Sequence, residues 1–383
     1  MKYSPTLRIA IVTESFLPEI NGVTNSVLRI LEEAARHGHQ VMVIAPESQS
    51  GDAPSEYAGF PIKRVPSLTV KGMLPLGLPQ RRIEPLIEGF NPDVIHLASP
   101  FFLGYYVAKI AQRLSIPTVS IYQTDVAGFA RHYGMTLAHS SITKWIAKIH
   151  MRTNRTLAPS SWSCAALAEN GVDNVKLWQR GINSERFNPA KRDEVLRDAL
   201  RHGSEKAIVG YVGRLANEKR LEDLKVLDTR GDLQLVLVGD GPARAKLERE
   251  LPNAIFAGYR SGDELARYYA SFDIFVHTGR DETFCQSIQE ALASGVPVVA
   301  PNSGGPLDLI SHGETGYLID TSNPAELDRS VTALMEQGNL AQSTRESVVA
   351  RTWPKVIAEL FSHYNEVILA LNSNSENQKE LVA

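Results

Sequence analysis

Short, almost wholly apolar runs recur along this chain, and a stretch of helical periodicity follows most of them. LRIAIV (7–12), QVMVIAP (40–46), DVIHLAS (93–99) and PTVSIYQ (117–123) form the first series. Strands apolar on both faces belong to parallel sheets covered by helices on both sides. Between the first two runs, Val27, Ile30, Leu31 and Ala34 recur at helical spacing over 23–37, and Gly38 stops that helix. Another helix is expected near 103–114. The alternation restarts with AIVGYVG (207–213), LQLVLVGDG (233–241), AIFAGY (254–259), FDIFVHTG (272–279) and VPVVAP (296–301). Helical stretches at 242–250, 263–270 and 284–294 lie between these runs. The pattern predicts an α/β chain with two Rossmann-like, doubly wound domains. At 383 residues the chain is also too long for one ordinary core.

The charged span 183–204, with Pro189, reads as a connection, which sets an N-terminal domain at 1–185 and a C-terminal domain at 186–352. Residues 353–383 are expected to hold one helix that crosses back to the N-terminal domain, ending near 372, and then a polar, frayed tail. Ligands of doubly wound sheets bind beyond the carboxyl ends of the strands, so the cleft between the domains is the expected active site. A net charge of −3 argues against a nucleic-acid binder. Cys164 and Cys285 stand far apart with no CxxC partner and give no reason to expect a disulfide framework or a zinc site. No stretch approaches the ~18 apolar residues that span a bilayer, so a cytoplasmic protein, free or held peripherally at the cytoplasmic membrane face, is expected.

Three stretches carry candidate chemistry. In GRDETFCQSIQEALASG (279–295), a strand ends near Thr278 and a helix is expected from Thr283 or Phe284, so Glu282 precedes a helix N-terminus whose free N–H groups suit a diphosphate. Glu290 lies off the apolar stripe of Phe284, Ile288, Ala291 and Leu292, where a carboxylate can accept two hydroxyls at once. In VGRLANEK (212–219), Gly213 allows a tight turn, and Arg214 and Lys219 can converge on one anion, stabilising a leaving diphosphate. In LPEINGVTN (17–25), Asn21 and Gly22 precede the first helix; this is not GxGxxG, which argues against a dinucleotide cofactor.

In this order on a two-domain α/β frame, the elements resemble the retaining GT-B glycosyltransferases of family 4 over nearly the whole chain. Glu282 and Glu290 match E-x7-E, Gly213, Arg214 and Lys219 match the strand-G-R-x4-K element, and GDGP (239–242) and GGPLDLISHGETGYLI (304–319) look similar too. The stretches YQTDVAGFARHYG and HTGRDETFCQSIQEALASG are most like the actinobacterial GDP-mannose-dependent α-mannosyltransferases of glycolipid synthesis.

The resemblance implies a GDP-mannose donor and a membrane glycolipid acceptor of the glucuronosyl-diacylglycerol or phosphatidylinositol type. It implies that Glu282 holds donor-sugar hydroxyls and Glu290 the ribose. Arg214 and Lys219 would hold the diphosphate, with Gly213, Asn21, Gly22, Asp281 and the backbone of Thr283, Phe284 and Cys285. Gly241, Tyr259 and Arg260 would lie by the base. Many relatives carry a His where this chain has Gln123, which cannot take a proton. Gln123 can still hydrogen-bond the sugar, and this suits a retaining mechanism in which the leaving phosphate accepts the acceptor's proton. Asp125 is the alternative base in that loop, with His132 and Tyr133 further on. Arg214 and Lys219 supply the charge a metal would, so no metal and no cofactor beyond the donor is expected.

Two stretches suit a lipid surface: 71–82, which mixes apolar residues with Lys71, Arg81 and Arg82, and a helix near 136–156 with Lys144, Lys148, Arg152, Arg155 and Trp145. The rival readings are a UDP-sugar-dependent glycolipid transferase, a nucleotide-sugar 2-epimerase, and a non-catalytic sugar-nucleotide-binding module.

Overall fold

Both apolar series become parallel sheets. The computed structural model describes residues 6–48, 52–68, 76–123 and 139–382. These form two units, one comprising the residues before Arg180 together with those from Pro354 onward, the other running Arg180–Trp353.

The first unit holds β1 (Arg8–Thr13), β2 (Gln40–Pro46), β3 (Glu56–Tyr57), β4 (Phe60–Val65), β5 (Val94–Ala98), β6 (Thr118–Ile121), β7 (Arg155–Ala158) and β8 (Val175–Leu177), in the order β8-β7-β6-β5-β1-β2-β4-β3. Within this sheet all pairings are parallel except β3 with β4, and a separate antiparallel pair joins Ser67–Leu68 to Leu76–Gly77. Every residue of β5 and β6 is buried, as strands covered on both faces require. Helix α1 (Gly22–Arg36) starts where Asn21 accepts the N–H groups of Val23 and Thr24. The strand order reverses between β1 and β5, and Glu14, just past β1, bridges that point. Its Oε1 accepts the N–H groups of Phe101 (2.8 Å) and Gly104 (2.9 Å) at the start of α2 (Phe102–Arg113). Burial raises the Glu14 carboxyl to about 7 against the pull of those amides.

Two expectations about helices are corrected. The basic helix is α3 (His139–His150), which ends short of 156. Arg155 lies in β7 instead and pairs with Glu366. The C-terminal helix continues to Val382, so the stretch read as a frayed tail is helical backbone. Of its residues, Val356, Ile357, Leu360, Phe361, Tyr364 and Val367 are buried. The Tyr364 hydroxyl lies 2.7 Å from Nδ1 of His96, at the centre of β5. Burial holds His96 neutral, with a pKa of about 3, so one hydrogen bond joins Nδ1 and the phenol. Tyr364→Phe strands a buried ring nitrogen and should cost about 1–3 kcal/mol in urea unfolding. An unchanged unfolding midpoint would remove this bond from the anchoring of the helix.

The second unit holds β9 (Ala207–Val212), β10 (Leu233–Val238), β11 (Ile255–Gly258), β12 (Ile274–Val276), β13 (Val298–Pro301) and β14 (Gly316–Ile319), all parallel, in the order β11-β10-β9-β12-β13-β14. Here the order reverses between β9 and β12. Part of the span read as a connection, 183–204, is helix Glu194–Arg201, capped by Asp193. Its Arg197, 4% exposed, is tied to Asp273 at the foot of β12, so this stretch is built into the second unit.

Candidate active site

The loops leaving β9 and β12 meet because those two strands are neighbours at the reversal point, the position where open α/β sheets bind ligands. Buried Tyr211 fixes the first loop by donating its hydroxyl to the carbonyl of Arg214 at 3.1 Å. Leu215 N–H bonds Asp240 O and Ala243 N–H bonds Leu215 O, which ties this loop to the GDGP turn. Lys219 closes a short 3-10 turn, and its carbonyl takes the Thr278 hydroxyl at 2.6 Å.

The second loop carries Glu282. Gly305 donates its N–H to Glu282 O at 2.7 Å. A Cβ at Gly305 would fall 2.3 Å from Phe284 Cα, and one at Gly304, whose φ is +67°, would fall 2.6 Å from Glu282 O. The Gly-Gly pair is therefore needed for this close approach. Cys285 follows at φ +76°, and only then does α4 (Gln286–Ala293) begin. The helix thus starts later than Thr283 or Phe284, because the chain there is packed against Gly304 and Gly305 and turns through the left-handed region.

These loops bring Lys219 and Glu282 into an ion pair on Oε1. The buried His277 imidazole, just past β12, places Nε2 3.2 Å from the same oxygen. Burial disfavours the Lys219 ammonium, but Glu282 and Tyr211 overcome it and hold lysine above its usual range. Burial likewise pushes the Glu282 carboxyl up, and Lys219 and His277 more than reverse this, holding it well below the carboxylate range. Burial lowers His277, while Cys285 and Glu282 raise it further, to about 9. A third cation comes from Arg180, where burial brings the guanidinium down to about 10 against the opposing field of Glu282. Gln286 and Gln289 of α4 donate to the carbonyls of Gly181 (3.3 Å) and Arg180 (3.1 Å), which holds this segment in place.

Sequence reasoning missed His277 and Arg180. The first is the polar end of an apolar run, FDIFVHTG; the second carries no local signal. His277, Glu282 and Cys285 each offer a metal-ligand atom within 4.8 Å of the others. Lys219 occupies the same carboxylate, however, and fixed cations oppose a divalent ion there.

The other expected residues are placed as follows. The Arg214 guanidinium is half exposed and faces Glu218 at 3.7 Å, while Lys219 pairs with Glu282. Glu290 is partly buried; burial raises it to about 7 against Tyr269 and Arg186. Phe284 is core, Tyr259 is 67% exposed, and Arg260 pairs with Glu264 at 2.9 Å. Gly241 N–H bonds the Asp240 carboxylate. Asp281 and Thr283 flank Glu282 with partly exposed side chains. In the first unit, Gln123 is buried just past β6, Asn21 caps α1, and Gly22 is exposed at its start. Asp125, His132, Tyr133 and residues 71–75 lie outside the described residues.

Residues 20–186 match the family Glycosyltransferase Family 4, and residues 192–350 match Glycosyl transferases group 1. The chain is 48% identical to the GDP-mannose-dependent alpha-mannosyltransferase of Mycolicibacterium smegmatis, over 94% of this chain and 98% of that one. It is 45% identical to the protein of that name from Corynebacterium glutamicum, over 94% and 89%. In fold it is similar to the sucrose-phosphate synthase of Thermosynechococcus elongatus, with a TM-score of 0.79 and 19% identity over 95% and 100% of the two chains.

Proposed function

The chain belongs to the GT-B glycosyltransferases of family 4, and on that premise we propose that it transfers mannose from GDP-mannose, with retention, to a membrane glycolipid. The observation that carries the reading is the Lys219–Glu282 pair at the reversal point of the second sheet, with Arg180 and His277 around it. The donor is suggested by relatives bearing that name at 45–48% identity.

In this reading Lys219, joined by Arg214 once an anion is present, stabilises the diphosphate as it leaves. Both Lys219 and His277 engage Oε1 of Glu282, so Oε2 is the atom that accepts donor-sugar hydroxyls. Glu290 takes the ribose, and the exposed ring of Tyr259 lies by the base. The leaving phosphate oxygen takes the acceptor's proton, with Gln123 as a hydrogen-bonding group, and no metal takes part.

A lipid acceptor suits the surface of α2 and α3. Neither helix has an acidic residue, and the exposed Lys144 and Lys148 stand beside Trp145, which packs on Tyr105 at 4.4 Å. Phe102 is 43% and Met151 51% exposed. Aromatic and basic residues together favour an anionic membrane interface. Among the described residues no helix is long and apolar enough to cross a membrane, and we place the protein peripherally on the cytoplasmic face.

Incubation with radiolabelled GDP-mannose and membrane lipid extract should yield a labelled glycolipid, equally with and without chelator. GDP-mannose at a hundred times its Kd should raise apparent stability by about 2.7 kcal/mol. Labelled lipid from UDP-glucose alone would overturn the donor, an altered sugar nucleotide without lipid would mean an epimerase, and binding without turnover a module.

A further inference from the structure

We propose that His277 is a positioning residue of the donor site, whose Nε2–H fixes the Glu282 carboxylate so that Oε2 faces the sugar. This rests on the donor-site reading above and adds a residue that neither the E-x7-E nor the G-R-x4-K pattern contains.

A carboxylate only accepts hydrogen bonds, so the proton between His277 Nε2 and Glu282 Oε1 at 3.2 Å belongs to the imidazole. The Lys219 ammonium reaches the same oxygen. One donor alone leaves a carboxylate free to rotate about its last torsion, which is broad for Glu. Two donors from different strand ends, both on Oε1, define the plane and leave Oε2 without a described protein partner. His277 suits this task because it is itself immobile. It is 2% exposed, its backbone N–H bonds Val299 O, and its ring lies nearly parallel to that of Tyr211 at 6.0 Å and 22°. The preceding strand, Ile274–Val276, is fully buried, so an imidazole in that setting is costly unless it is hydrogen-bonded. The charged or titratable groups around it are Glu282, Lys219, Cys285 and Tyr211, with Arg180 acting through Glu282.

The test compares H277L, which removes the donor, with H277Q, whose amide can place an N–H near the lost Nε2. Positioning predicts that H277L lowers kcat/KM for the sugar nucleotide about 100-fold, mostly in kcat, while affinity for GDP, which lacks the sugar, stays within about twofold. H277Q should recover activity to within about tenfold of the native protein and lose the alkaline limb of its pH profile. Equal losses in both variants, in step with melting temperature, would make His277 a packing residue and overturn the proposal. So would an H277L protein of native turnover.

A native protein that turns over no sugar nucleotide would sink the proposed function instead. The positioning role is then read from carboxyl-labelled Glu by NMR: Glu282 should titrate at higher pH in H277L than in native or H277Q protein, and an unmoved titration would refute it.

Discussion

Lys219→Met should lower kcat/KM for the nucleotide-sugar donor by about 10³, the upper range for losing one preorganised donor to a developing anion. The same change leaves Glu282 without its main counter-charge in a site that disfavours carboxylates. Removing one partner of a buried pair costs about 3–5 kcal/mol. The lower end applies here, because Lys219 and Glu282 keep 23% and 19% of their side-chain surface exposed. The pH dependence follows from the directions of the two shifts. Glu282 is depressed on folding, so its contribution is complete above the ordinary carboxyl value of 4.5 and is lost as pH falls through the folded value. Lys219 is raised, so its contribution is complete below 10.5 and is lost as pH rises through the folded value. The pair is at full strength between those limits. In Lys219→Met the carboxyl takes its proton at higher pH, and the acid limb of activity should move upward. Steady-state kinetics across pH check this, and an unmoved limb with unchanged kcat/KM would remove Lys219 from the donor site.

Gly305→Ala should be nearly as damaging without touching a charged residue. The new methyl would sit 2.3 Å from both Cα and O of Phe284, which are backbone atoms with no room to yield. Overpacking of this kind costs about 1–3 kcal/mol. The displaced loop carries Glu282, and a shift of about 1 Å at a reacting group costs about 100-fold in rate. Gly313→Ala is the control: its φ of +85° makes Ala strained, yet nothing lies within 4 Å of the added Cβ. Urea unfolding with donor kinetics separates the two. Both variants should lose stability, and only Gly305→Ala should lose turnover. Native turnover in Gly305→Ala would mean the loop does not depend on this contact.

The main sheets were legible because their strands are buried on both faces and so read as unbroken apolar runs. β3, β4, β7, β8 and β14 were missed: EY, FPIKRV, RTLA, VKL and GYLI are short or mixed, and β3, β8 and β14 sit at sheet edges. The start of α4 was misplaced because it depends on Gly304 and Gly305, not on the local pattern. Lys219 and Glu282 were legible as separate motifs, but they lie 63 residues apart, and only strand order makes them partners. The same order recruits His277 and Arg180, which carry no spacing of their own, and leaves Arg214 facing Glu218.

The first unit is completed by residues that follow the whole of the second. During synthesis, at about 5–20 residues per second, β1 to β8 leave the ribosome long before Tyr364 exists to meet His96, or Phe361 to cover His37 and His39. The part made earliest is thus the last to be finished. Until then it presents the bare flank that Val356, Ile357, Leu360 and Phe361 later cover.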